Sequence, residues 1–172
     1  MGAAFNSNFK EGQTQTYHLE DTSEDAVRLL VFWIYSQNLN LPLEEAESWD
    51  FTREIQALCS LWVLADKLII AALQNAVIEK INAISLRDSI IPTFCIQYIY
   101  QNTAVRSPLR QLMLTYCAYS SFATSYYTDN SHQFPKEMLL ELTALLIDEL
   151  PPGHAAKRLN RKDMSRFKVS EA

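Results

Sequence analysis

Val27, Leu30, Val31 and Ile34 recur at the i, i+3, i+4, i+7 spacing of one helical face. Just before them, Asp21-Thr22-Ser23-Glu24-Asp25 is suited to start a helix. A Ser or Thr hydroxyl there accepts from the orphan amides of the first turn, and the acids suit the positive end of the helix dipole. The pattern predicts a first helix ending near Tyr35-Ser36. Leu58, Leu61, Trp62, Ala65 and Leu68 line a second over roughly 52–68, and Leu73, Ala76, Val77, Ile81 and Ile84 a third over about 71–84. Phe94, Cys95, Tyr98 and Ile99 mark a fourth that starts near Pro92, a first-turn position. Ser107 as cap, with Pro108 next, opens a fifth carrying Leu109, Leu112, Met113 and Tyr116. A sixth follows Pro135 with Met138, Leu139, Leu142, Leu145 and Leu146, and Pro151-Pro152-Gly153 stops it. Thr16-Tyr17-His18-Leu19 alternates and is rich in strand formers. The expected fold is therefore mostly α, with one or two short strands. Two stretches read as polar links: the acidic 37–50, with Pro42, and the tyrosine-containing 123–134.

Composition narrows this picture. The 172 residues are a one-domain length, and 48% hydrophobic content is enough for a sizeable core. Only three glycines occur, none between Gly12 and Gly153. Helices joined by short polar links fit that interval, and glycine-rich phosphate cradles do not. The longest unbroken apolar run, Leu29 to Tyr35, is far too short to span a membrane, and no signal peptide is visible at the start. Cys59, Cys95 and Cys117 lie in helical patterns at wide spacing, which predicts buried reduced thiols and an intracellular setting. The net charge of −5 is uneven: residues 151–172 carry +4, leaving −9 on the rest. An acidic body is a poor nucleic-acid binder.

The search for chemistry finds no constellation. His18, His132 and His154 are scattered, no cysteine pair has zinc spacing, and no nucleophile elbow is present. The acidic link with Glu44, Glu45, Glu47 and Asp50 lacks the turn glycine of a calcium loop. No enzymatic activity, cofactor, metal or small-molecule substrate is expected. Tyr98, Tyr100, Tyr116, Tyr119, Tyr126 and Tyr127 read as half-buried packing residues with their hydroxyls in water rather than as a base-stacking platform. The tail cluster Lys157, Arg158, Arg161 and Lys162 has three readings: a nuclear-import signal, a surface that meets an acidic partner, and a solvated tail.

Three stretches in one order carry a resemblance. "FNSNFKEG" (5–12), "TYHLEDTSEDAVRLLVFWIYS" (16–36) and "LCSLWVLADKLIIAALQNAVI" (58–78) resemble the second half of a BTB/POZ domain, nearest to short fungal members. The features are Phe9-Lys10-Glu11, the strand ending Leu19-Glu20-Asp21, the helix closing with Phe32 to Tyr35, and Leu64-Ala65-Asp66-Lys67-Leu68. The resemblance covers about residues 3–84 and, more weakly, extends to about 150. It implies a partial BTB/POZ domain over 1–84 and a helical extension over 85–150, and the charge distribution adds a basic tail over 151–172. It also implies that the domain's first strands and helix, which supply most of the homodimer surface, are missing, so dimerisation by that surface is not expected.

Function follows as an expectation from the resemblance. Such domains bind protein partners, and many act as substrate adaptors on a cullin-type ubiquitin-ligase scaffold. In those adaptors an apolar-x-Glu motif touches the cullin, and Phe9 and Glu11 match it. The competing reading folds Phe9 against the body beside Phe5. An alternative function is a nuclear structural or regulatory subunit that combines the acidic body with the basic tail. Either role places the protein in the cytoplasm, the nucleus or both.

Overall fold

The computed structural model describes residues 22–40 and 50–149. They form seven α-helices: α1 Glu24–Ser36, α2 Phe51–Lys67, α3 Ala71–Asp88, α4 Ile96–Asn102, α5 Pro108–Ala118, α6 Thr124–Asp129 and α7 Lys136–Asp148. Short 3-10 turns at Thr93–Cys95 and Ser131–Gln133 precede α4 and α7. The fold is mostly helical, and no strand occurs among the described residues. The strand expected at Thr16–Leu19 lies outside them.

The helix starts follow local chemistry. The Ser23 hydroxyl accepts from the Ala26 amide at 3.2 Å, and Glu24 and Asp25 fill the first turn of α1. Asp50 accepts from the Arg53 amide at 2.8 Å and starts α2. Ser107 caps α5 ahead of Pro108. The helix ends are less ordinary, because no glycine is available to take the left-handed conformation that commonly closes a helix. Gln37, Ile69 and Ser89 take it instead, with φ of 56°, 58° and 55°. At Ile69 the closure is a Schellman motif: the Ile69 amide donates to Asp66 O at 3.0 Å and the Ile70 amide to Ala65 O at 2.9 Å.

α2 is the central element. Ile55, Leu58, Leu61, Trp62 and Leu64 are buried on it, and it packs against both α1 and α3. α3 contributes Leu73, Val77, Ile81 and Ile84 to the same core. α7 packs on α5, and one cluster of buried side chains runs from Ala26 to Leu142. Burying a Leu, Ile or Phe side chain contributes about 1.5–3 kcal/mol each, so this shared core supplies most of the driving force.

Several sequence expectations change. α1 buries Ala26, Leu29 and Leu30, leaving Val31 and Ile34 exposed instead of placing them in the core. The helix is apolar at every position from 29 to 35, so its periodicity does not choose a face. Packing on α2 chooses it, with Asp25 paired to Arg53 of α2 at 2.8 Å. α3 continues one turn past Ile84, through exposed Leu86 and the Arg87–Asp88 ion pair, where no apolar periodicity marks it. The 123–134 stretch holds α6 and a 3-10 turn rather than a loop. It is organised by aromatic packing: Tyr126 stacks on Phe122 at 4.1 Å, and Tyr127 lies 4.9 Å from Phe134.

Candidate interaction surface

The residues singled out for partner contact, Phe9 and Glu11, lie outside the described residues, as do Lys157, Arg158, Arg161 and Lys162. Among the described residues, no group of three His, Cys, Asp or Glu side chains could hold a metal ion, and no helix is long and apolar enough to cross a membrane.

The polar groups that converge inside the molecule are used to hold helices together. Arg110, buried on α5, is their hub. Its Nε donates to Thr103 Oγ1 at 3.0 Å, Nη1 to Glu137 Oε1 at 2.7 Å, and Nη2 to the carbonyls of Tyr100 and Thr103 at 2.7 and 2.6 Å. Its guanidinium sits 4.3 Å above the Tyr100 ring. Tyr100 in turn donates to Glu141 at 2.6 Å, so α4, α5 and α7 share one network. Burial, and then the bond to Glu141, raise the Tyr100 pKa well above the usual phenol range. Each nitrogen of the guanidinium donates to at least one acceptor, as a buried charge requires.

Three more of the tyrosine hydroxyls expected to face water behave the same way, while Tyr119 is 69% exposed. Tyr116 donates to Asn82 at 2.8 Å, Tyr126 shares a hydrogen with Thr93 at 2.9 Å, and Tyr127 donates to the Cys117 carbonyl at 3.1 Å. Each tyrosine therefore fastens one element to another. The three cysteines are free and buried. Contact with the Cys95 thiol and burial hold the Cys59 thiol well above its ordinary pKa, and burial pushes Cys117 up to about 11. Protonated buried thiols are poor nucleophiles.

A cavity of about 320 Å³ opens between the end of α1 and α3, lined by Asn38, Leu39, Asn40, Ala76, Glu79 and Lys80. Lys80 already donates to Asn40 at 3.1 Å and pairs with Glu54 at 3.8 Å, so its ammonium is engaged within the fold.

What the interior does not use lies on the outside. On α1, Val31 is 47% exposed, Ile34 51% and Tyr35 86%. They form an apolar ridge on the helix that opens the described chain. Periodicity had singled out Val31 and Ile34 but assigned them to the core. The better signal was the seven-residue apolar run itself: a surface helix with one buried face does not need it. α7 shows a second such face. Met138 and Leu142 are buried, whereas Leu139 and Leu146, expected beside them, are exposed. Recognition by shape and apolar contact is what such faces are suited to.

Comparison of the chain with protein-family models, with characterised proteins and with solved structures finds no match.

Proposed function

We propose that this chain is a non-enzymatic protein–protein interaction module of BTB/POZ type, serving as a substrate adaptor for a cullin-type ubiquitin ligase. The observation that carries the reading is the exposed ridge of Val31, Ile34 and Tyr35 on α1, a helix whose other side is core. Apolar ridges on a folded scaffold suit partner recognition, and aromatic residues such as Tyr35 are enriched at interface centres. The order of the three stretches that resemble a BTB/POZ domain supports the same reading.

In this account Phe9 enters an apolar pocket of the cullin, and Glu11 accepts a hydrogen bond from it or caps one of its helices. Helices α4 to α7 provide a second region of contact. Burying Phe9 contributes about 1.5–3 kcal/mol of affinity. The test is retention of the full chain on an immobilised cullin N-terminal domain, with Phe9→Ala and Glu11→Lys as comparisons. The reading expects the wild type to be retained and both variants to be lost. Equal retention of all three would remove the motif assignment.

A further inference from the structure

The outer side of α7 is an apolar stripe with an acidic border. Leu140 and Ile147 are 62% and 60% exposed, with Leu139 and Leu146 beside them. These positions fall at i, i+1, i+7 and i+8, with Thr143 between, so they make one continuous face two turns long. Glu137, Glu141 and Asp148 run along the edge next to Leu140 and Ile147. Glu137 and Glu141 are tied inward to Arg110 and Tyr100, and the Glu137 side chain remains half exposed. Asp148 and Glu149 make no ion pair among the described residues. They stand at the C-terminal end of α7, where the helix dipole is already negative and the last turn holds no basic residue. Among the described residues, no cation pairs with this end of the helix.

Two occupants can be weighed. The same helix of a second copy would bring one cation, Lys136, to a border of three carboxylates. The chain's own 151–172 segment carries six Lys and Arg against two acids, with Leu159, Met164 and Phe167 among them. It begins directly after the acidic end, and Pro151-Pro152-Gly153 are residues suited to reversing the chain. Length is sufficient. The 13 residues of α7 span about 20 Å at 1.5 Å per residue, a distance that about six extended residues cover. Twenty-three residues follow Glu149.

We infer that the outer face of α7 is the docking site of this chain's own basic 151–172 segment. Lys157 and Arg158 neutralise Asp148 and Glu149, and the apolar residues of the segment cover Leu140 and Ile147. The inference is independent of cullin binding.

The experiment uses the full chain with Ser165→Cys carrying a nitroxide; Cys59, Cys95 and Cys117 are buried and do not compete for the label in the folded protein. The methyl spectra of Leu, Ile and Val are read with the label oxidised and reduced. Docking predicts that Leu139, Leu140, Leu146 and Ile147 lose most of their signal while Leu73 and Leu58 in the core keep theirs. The loss disappears when Lys157, Arg158, Arg161 and Lys162 are all changed to Glu, and also in Leu140→Glu, a change at an exposed position. A mixture of spin-labelled chain with separately methyl-labelled chain shows no loss. The inference is overturned by an absence of signal loss on α7, by loss spread evenly over surface methyls, by loss that survives the charge reversal, or by loss in the mixture, which would place the segment on a second copy.

Discussion

Ile69 closes α2 in a conformation that a β-branched side chain disfavours. Its φ is 58°, and its side chain is 90% exposed in the link to α3. Holding an L-residue in the left-handed region costs roughly 1–2 kcal/mol, and glycine removes that cost. Glycine also adds freedom to the unfolded chain, which opposes the gain by about 0.5–1 kcal/mol. The side chain is almost fully in water, so little burial is lost on removing it. Ile69→Gly is therefore expected to stabilise the protein by about 0.5–1 kcal/mol, or ~1–4 °C in melting temperature at this size. Urea titration followed by tryptophan fluorescence measures it, with ΔG taken by linear extrapolation. The neighbouring Ile70→Gly is the control: Ile70 packs partly on the core at φ −105° and should destabilise. If Ile69→Gly destabilises as Ile70→Gly does, the strained-cap reasoning is wrong, and Ile69 contributes packing that the structure does not account for.

Other consequences can be measured in the same way. Arg110→Ala leaves the Tyr100 and Thr103 carbonyls and Glu137 without their donor and should cost about 3–5 kcal/mol in urea titration. Glu137→Gln keeps an acceptor for Arg110 Nη1 but removes the counter-charge of a buried guanidinium, and should cost less than Arg110→Ala in the same titration. Because the folded-state pKa of Tyr100 is raised, the native protein binds more protons than the unfolded chain once free phenols begin to ionise near pH 10, so stability falls as pH rises beyond that point. Tyr100→Phe should flatten this part of the stability–pH curve, and an unchanged slope would contradict the assignment.

Legibility in the sequence followed how one-sided each element is. α3 was readable because Leu73, Val77, Ile81 and Ile84 fall on one face between polar neighbours. α2 was readable as a helix, but as the central element it buries Ala57, Leu58, Cys59, Leu61, Trp62, Val63, Leu64 and Ala65 on all sides, not the single face its spacing suggests. α5 was readable from Ser107-Pro108, which defines a helix start by hydrogen bonding and fixed φ. The face of α1 was not, since its consecutive apolar residues are compatible with either orientation and only packing on α2 decides. α6 was hidden because its six residues carry no cap and bury no side chain, so stacking with Phe122 and Phe134 makes it, not propensity. The helix ends at Gln37, Ile69 and Ser89 lack the glycine that usually announces them. The Arg110 network was invisible for a different reason. Its members sit up to 41 residues apart, counting the Tyr100–Glu141 bond, and a lone arginine in an amphipathic helix reads as solvent-facing. The exposed ridge of Val31, Ile34 and Tyr35 had its signal in the unbroken apolar run of α1, whereas the Phe9 and Glu11 contact comes from resemblance alone and lies outside the described residues.

The interaction-module account is tested most directly by calorimetric titration of the full chain into a cullin N-terminal domain, beside Phe9→Ala and Glu11→Lys. The account predicts saturable binding of the wild type. It also predicts an affinity loss of about 10- to 100-fold for Phe9→Ala, as burial of one phenylalanine implies, together with weakened binding for Glu11→Lys. Absence of wild-type binding, or affinities indistinguishable among the three proteins, would contradict it.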